Sequence, residues 1–318
     1  MNSYRERSQS STMKLLNPTP YTLHTTHYTL NSQPHMLLIA DSGSTKTDWC
    51  LCNQGAVLQN IQTQGINPYH QTEEAIEAVL REELLPQSSQ FIAQGAQLKI
   101  TFYGSGCANE TACNRIKEAL HQVLGAEDIT VHSDLLGAAR ALCGHEEGIA
   151  CVLGTGSNSC LYDGKEIIAN TPPLGYILGD EGSSAVLGRR LVGDCLKNQL
   201  PEAIRDEFLA EYQLTQEIIL EKVYRQPLAN RFLASLTPFL SKHREVPEVH
   251  KLLVESFTDF FVRNVKQYRR PWLRIHFVGS IANAFSAELK EAAESLGMEL
   301  GTIMKSPMEG LIKYHSKE

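Results

Sequence analysis

Apolar residues in the first half of the chain fall in short runs with the length and alternation of strands. Strands are predicted near 36–41, 47–52, 56–62, 97–103 and 129–133, and helical spacing appears over 72–85 and 110–124. A helix from about 135 to 143 leads into two more strands, 149–154 and 157–162, and marks a domain boundary. From 182 to 268 the period turns helical, with helices predicted over 182–199, 201–211, 215–225, 228–242 and 247–268, separated by prolines at 201, 227 and 247. Strand–helix order returns with a strand at 274–280, a helix at 281–296 and a strand at 299–304. Ser306, Pro307 and Glu309 then read as a capping box, with Ser as N-cap, Pro at the first helical position and Glu three residues on. The pattern predicts two α/β domains, the second carrying a large helical insertion.

One arrangement occurs twice. Between Leu37 and Val57 an apolar strand enters a Gly/Ser/Thr turn, a second strand leaves it, and an Asn and a Gly reverse the chain; a shorter echo runs from Ile149 to Ile167. A glycine-rich turn between strands offers backbone N–H groups at close range, which suits a phosphate oxygen. Two such turns imply a duplicated architecture holding one polyphosphate from both sides. The first turn, Asp41-Ser42-Gly43-Ser44-Thr45-Lys46-Thr47, lacks P-loop spacing and is followed by a strand. Its amides and the hydroxyls of Ser44 and Thr45 are candidates for phosphate contact. Asp41, at a strand end, could hold Mg²⁺ through water. The second turn is Gly154-Thr155-Gly156-Ser157. An ordinary glycine hairpin is the plainer account of either turn taken singly.

Other junctions carry candidate chemistry. Ser133-Asp134 stands where a strand meets a helix, and suits either helix capping or a general base for a hydroxyl proton. Gly179-Asp180-Glu181-Gly182-Ser183 places two acids before a helix, either complementing its N-terminus or hydrogen bonding to vicinal sugar hydroxyls. Asn67-Pro68 is a turn signal. Gly279 and Ser280, at a strand–helix junction, permit close approach of a flat ring or a phosphate. The eleven histidines form no HxxH or HExxH pattern, and no transition metal is assigned.

At 318 residues the chain has room for two domains. A net charge of −7 argues against a nucleic-acid partner, and no apolar run approaches the roughly 20 residues of a membrane span. Of eight cysteines none forms a CxxC pair and several lie in strand patterns, which reads as reduced, buried thiols in a cytoplasmic protein. Residues 1–35, rich in Ser, Thr, His and Tyr with YTL repeated, read as a disordered tail or the product of an upstream start codon.

In order, DSGSTKTDW, GINPY, HSDLLGA, VLGTGSNS, LGDEGSS, FVGSIA and SPMEGL resemble the motif series of the N-acetylglucosamine kinase and BadF/BadG-type ATPase family, within the actin, sugar kinase and heat-shock chaperone superfamily. The resemblance covers nearly everything from Met36 onward. It implies two ribonuclease-H-like domains, 36–143 and 144–305, closing a central cleft on ATP, Mg²⁺ and a sugar. The helix at 306–318 would pack back on the first domain. By resemblance Asp134 matches the base that activates the sugar 6-hydroxyl. The turn from Ser42 to Lys46 with Gly43 and Thr45, and Gly154, Thr155 and Gly156, match phosphate positions. Asn67, Ser157, Asn158, Gly175 and Asp180 match the sugar side, and Gly279 with Ser280 the nucleotide edge.

Where that family carries a Gly-Trp-Gly-His type segment lining the sugar pocket, this chain reads Pro173-Leu174-Gly175-Tyr176, which leaves N-acetylglucosamine and a bulkier sugar such as N-acetylmuramic acid both open. The resemblance implies a small-molecule sugar substrate, neither nucleic acid nor membrane as partner, and leaves room for a homodimer. The alternatives are an ATPase that activates a 2-hydroxyacyl-CoA dehydratase, which would need exposed cysteines around a dimer axis, and a non-catalytic sugar sensor.

Overall fold

Each glycine-rich turn joins two antiparallel strands, and each hairpin founds a five-stranded sheet. The computed structural model describes residues 36–43, 45–92 and 98–316. In the first sheet β1 (Met36–Ser42) pairs antiparallel with β2 (Lys46–Asn53), which pairs antiparallel with β3 (Ala56–Gln64). The chain then forms helices α1 (Glu73–Val79) and α2 (Leu85–Ile92), joined by a π-turn over Leu80–Leu84. The predicted helix stops at 85, ahead of Pro86. The wider π-turn lets it continue, because it absorbs the proline's missing N–H and the crowding of its ring. β4 (Leu98–Gly104) returns parallel to β1, and α3 (Glu110–Leu124) crosses to β5 (Asp128–Ser133), parallel to β4. The strand order is β3-β2-β1-β4-β5.

α4 (Asp134–Cys143) follows directly. In the second sheet, β6 (Glu147–Leu153), β7 (Ser157–Asp163) and β8 (Ile167–Asn170) form the antiparallel half. β8 escapes the sequence reading because it has four residues and lies at an edge with Ile168 exposed, so it shows no buried alternation. A helical layer follows: α5 (Gly175–Leu178), α6 (Ser184–Leu196), α7 (Glu202–Glu211), α8 (Gln216–Tyr224), α9 (Ala229–Ser235), α10 (Thr237–Lys242) and α11 (Pro247–Phe260). The helix expected over 228–242 divides at Leu236 because Pro238 interrupts the backbone ladder. β9 (Ile275–Val278) lies parallel to β6. α12 (Ser280–Ala284) and α13 (Ser286–Ser295) replace the single helix expected over 281–296, with the break at buried Phe285. β10 (Leu300–Met304) then pairs parallel with β9. The order β10-β9-β6-β7-β8 repeats that of the first sheet strand for strand. Two sheets of this kind are the ribonuclease-H-like pair expected, and the duplicated hairpins are its visible trace.

The last helix, α14 (Met308–His315), begins one residue later than the capping box implies. Pro307 is its flanking residue, and the Ser306 hydroxyl accepts from the Met308 N–H at 3.4 Å. α14 packs on β1, β2 and α4, and Leu311 joins Ile39, Cys50, Cys52, Tyr103 and Ala141 in one apolar cluster.

α4 is the element shared by both halves. Leu135, Ala138, Ala139 and Leu142 bury against Ala150, Cys160, Tyr162 and Val278 of the second sheet. Its other faces meet Tyr103 and α14 at two glycines. A Cβ on Gly137 would lie 2.8 Å from the Tyr103 ring, and one on Gly310 would strike the Ala141 carbonyl. Polar contacts complete the joint. Arg140 donates to the Tyr103 hydroxyl at 3.0 Å, and that hydroxyl lies 2.9 Å from Nε2 of His315.

Gly310→Ala should therefore force α14 away from α4 at a cost of about 1–3 kcal/mol, the usual range for overpacking. Urea unfolding measures it; a midpoint equal to the parent's would show that the glycine contact is not limiting.

Candidate active site

In the first sheet β1, β4 and β5 are parallel, so their carboxyl ends share an edge, where ligands of open α/β sheets collect. That edge carries Asp41 and Ser42, Gly104 and Ser105, and Ser133 and Asp134. Ser42 does not fit the phosphate contact expected of it. Its side chain is fully buried and its hydroxyl is committed: it meets Thr47 Oγ1 at 2.7 Å, donates to the Ile66 carbonyl at 2.9 Å and accepts the Ile66 N–H at 3.0 Å. Its work is to tie the hairpin to the chain before Asn67. Gly43 and Thr45 are exposed at the turn, which Gly43 N–H closes on the Lys46 carbonyl at 3.0 Å. Ser44 lies outside the described residues. The Lys46 ammonium is held by Asp48 at 2.6 Å, and Asp48 also accepts from Gln62 at 2.7 Å.

At the strand-to-helix junction, Ser133 does the capping: its Oγ accepts the Leu136 N–H at 3.2 Å. Asp134 is the first helical residue, and its Oδ1 accepts the Leu135 N–H at 2.8 Å. Burial raises the Asp134 carboxyl above its ordinary range, opposed by hydrogen bonds from backbone N–H groups. Asp41 is raised to about 7, first by burial and then by the charges of Asp134 and Asp48, with Lys46 opposing. The charge of Asp134 is thus felt at Asp41. The Cys107 thiol also feels Asp134, and is pushed up to about 12 mainly by burial.

Asn67 is the turn residue that its Asn-Pro sequence predicts, and more. Its Oδ1 accepts the Tyr69 N–H at 2.9 Å, its backbone N–H donates to Gln71 Oε1 at 2.7 Å, and its Nδ2 faces Ser105 Oγ at 3.5 Å. Gly106, with φ +85°, passes directly under it; any Cβ there would strike Oδ1. The amide thus reaches the carboxyl end of β4.

The second sheet presents the matching edge. Gly154 N–H bonds the Gly156 carbonyl at 2.9 Å and closes the turn. Gly154 O accepts from Ser184 N–H at 2.9 Å and from Ser184 Oγ at 3.1 Å, which seats the start of α6 on the turn. Thr155 is exposed at the tip. Asp180 packs over Gly156, where a Cβ would come within 3.0 Å of its Oδ2, and its carboxylate accepts the Ser157 N–H. Burial, with Glu181 adding, raises Asp180 to about 6 against the pull of Ser157. Asn158 Oδ1 accepts from Ser159 N–H and from Asn170 Nδ2, each at 2.9 Å. Gly175 opens α5, which brings it to Asp180 through paired backbone bonds: Gly179 N–H to Gly175 O and Asp180 N–H to Pro173 O, both 2.8 Å. Gly279 passes so close to the Leu153 carbonyl, at φ +130°, that no other residue fits, and exposed Ser280 starts α12 beside it.

The candidates thus gather at two corresponding edges, joined by α4, whose first residue is Asp134. Ser105 and Gly106, and Arg263 and Asn264, which hold Glu181, are site-supporting residues that the sequence reading passed over. All four stand outside any motif. Six of the eight cysteines are buried and two, Cys113 and Cys143, are half-buried, whereas the dehydratase-activator alternative asks for exposed ones.

A crystal structure of the "Putative N-acetylglucosamine Kinase" of Porphyromonas gingivalis is 51% identical, covering 89% of this chain and 99% of that one with a TM-score of 0.86. The chain belongs to the N-acetylglucosamine kinase family. A protein of the same designation from Chromobacterium violaceum is 19% identical over 89% of this chain and 99% of that one, at a TM-score of 0.68. MreB5 of Spiroplasma citri, bound to AMPPNP, is 10% identical over 89% and 95%, at 0.53. Both these likenesses concern the fold, which is that of the actin-like ATPases. No family model and no curated protein matches the chain. Among the described residues no helix is long and apolar enough to cross a membrane.

Because Asp180 titrates near 6 in the folded protein, above its ordinary 3.8, the folded state holds a proton there that the unfolded chain has released. Its contribution therefore favours folding at low pH and is lost as pH rises from about 4 through 6. Asp180→Asn keeps an acceptor for Ser157 and removes the charge. The expected melting temperature exceeds the parent's at pH 7.5 and equals it at pH 4; an equal offset at both would contradict the assignment.

Proposed function

We propose that the protein is an ATP-dependent sugar kinase that phosphorylates the 6-hydroxyl of an amino sugar, N-acetylglucosamine or a close relative such as N-acetylmuramic acid. The observation that carries this reading is Asp134. It stands at the N-terminus of the helix shared by both sheets, with its capping task given to Ser133 and its carboxyl raised by burial. The 51% identity to a relative named for this activity, over nearly all of that relative's length, supports it.

Asp134 would accept the proton of the sugar hydroxyl as oxygen attacks the γ-phosphorus. A carboxylate raised above its usual range is the stronger base near neutral pH. The exposed residues Gly43, Thr45 and Thr155, with Ser44 beside them in sequence, would receive phosphate oxygens through backbone N–H groups and hydroxyls. Gly279 and Ser280 would border the nucleotide. Asn67, Ser157, Asn158 and Asp180, with Gly175 at the rim, would bind and orient the sugar, so that the acceptor hydroxyl is held in line.

The donor set fits magnesium. Asp41 and Asp134 stand at the same carboxyl-end edge of the first sheet, and the charge of Asp134 raises Asp41; magnesium asks for only one or two carboxylates, with water and phosphate completing its shell. Asp41 would hold it through water, and the ion would supply charge neutralisation on the phosphates.

Two experiments test the reading. ADP release measured over N-acetylglucosamine, N-acetylmuramic acid, glucosamine and glucose should be fastest with one of the two N-acetylated sugars; activity on none of the four would end the proposal. Asp134→Asn should lower kcat by about 10²–10⁴ while nucleotide affinity, read by calorimetry, stays at the parent's level. Parental turnover in that variant would remove Asp134 as the base.

A further inference from the structure

The long helix α11 does not end regularly. Its ladder widens into a π-turn over Phe261–Val265 and then tightens to 3₁₀ over Lys266–Tyr268. Irregularity of this kind recurs at functional sites, and here Arg263, Asn264 and Tyr268 reach the chain around Ser159, Thr171 and Glu181. Asn264 is buried; its Nδ2 donates to Glu181 Oε2 at 3.1 Å and its carbonyl accepts from Thr171 Oγ1 at 3.0 Å. Arg263 donates to the other oxygen of Glu181. The Tyr268 hydroxyl lies 2.7 Å from Ser159 Oγ and accepts the Thr171 N–H at 3.1 Å.

These contacts close a ring. The irregular segment holds Thr171, the chain from Thr171 reaches Pro173, and the Pro173 carbonyl accepts the Asp180 N–H at 2.8 Å. Glu181 then returns the chain to Arg263 and Asn264. Asp180 itself sits at φ +52°, a backbone region that a non-glycine residue keeps only when its surroundings hold it there. Glu181 is adjacent, and both of its carboxylate oxygens are engaged by Arg263 and Asn264.

We propose that Glu181 is a positioning residue: clamped by Arg263 and Asn264, it fixes the strained Asp180 loop against Gly156, and so sets sugar affinity without touching the sugar. The idea rests on the reading of Asp180 as a sugar ligand. It departs from the expectation that both acids of the pair contact hydroxyls, since Glu181 already has two partners.

Kinetics and hydrogen exchange on the full chain test it together. Glu181→Ala should raise the sugar KM by about 10–100-fold, the scale on which a misplaced binding group is felt, with the ATP KM unchanged. Glu181→Gln keeps an acceptor for Asn264 and should recover most of that loss. Amides of 173–184 should exchange faster in Glu181→Ala than in the parent, whether or not a sugar is turned over, and Asn264→Ala should reproduce both effects from the opposite side of the clamp. Equal rises in both KM values, or parental exchange over 173–184, would overturn the proposal. If the parent phosphorylates no sugar, the kinase reading fails on its own, and the exchange measurement still decides whether Glu181 holds the loop.

Discussion

Contact between one helix and both sheets is the constraint on which this architecture depends. α4 can serve two sheets only because it approaches its neighbours at backbone distance: Gly137 lets the Tyr103 ring lie against it, and Gly310 lets α14 lie against Ala141. The face of Leu135, Ala138, Ala139 and Leu142 then remains for the second sheet. Small residues trade side-chain burial for proximity, and the remaining polar groups, Arg140, Tyr103 and His315, bond to one another within the same joint. Asp134 inherits its place from this joint, because it is the helix's first residue.

The duplication explains why the site has two halves of similar construction and different chemistry. Both sheets carry a turn on the strand order 3-2-1-4-5, and both end their parallel strands at the site. The first edge gathers carboxylates, Asp41 and Asp134, both raised by burial, with the charge of Asp134 adding at Asp41. The second gathers backbone groups and the Asp180 carboxylate, which the Ser157 N–H steadies. The helical layer inserted after β8 belongs to the second half alone, and with it comes the irregular end of α11, which holds Thr171 and Glu181.

Much of this was legible in the sequence, for physical reasons that can be named. The hairpins announced themselves because a glycine turn between apolar strands is a local feature, and repetition of a local feature survives without any knowledge of packing. Asp134 and Asp180 were legible as candidates because both lie at element junctions. What local pattern could not reveal was where hydroxyls and cations spend their bonds. Ser42 resembled a phosphate ligand until its oxygen was found engaged by Thr47 and Ile66, and Lys46 is drawn to Asp48. β8 was too short and too exposed to alternate, and the breaks at Leu236 and Phe285 and the π-turn before Pro86 depend on backbone geometry that hydrophobic period does not record. Glu181 showed its identity and not its direction, which is set by Arg263 and Asn264 some eighty positions away.

The position of α14 has a consequence for how the chain comes to be folded. The cluster beneath β1 and β2 stays open until Leu311 arrives, and Tyr103 meets His315 across 212 positions of sequence. The earliest strands to emerge during synthesis are therefore among the last to be sealed. Until α14 docks, this flank of the first sheet lacks the cover of Leu311, and transiently exposed apolar surface of that kind is where folding intermediates aggregate.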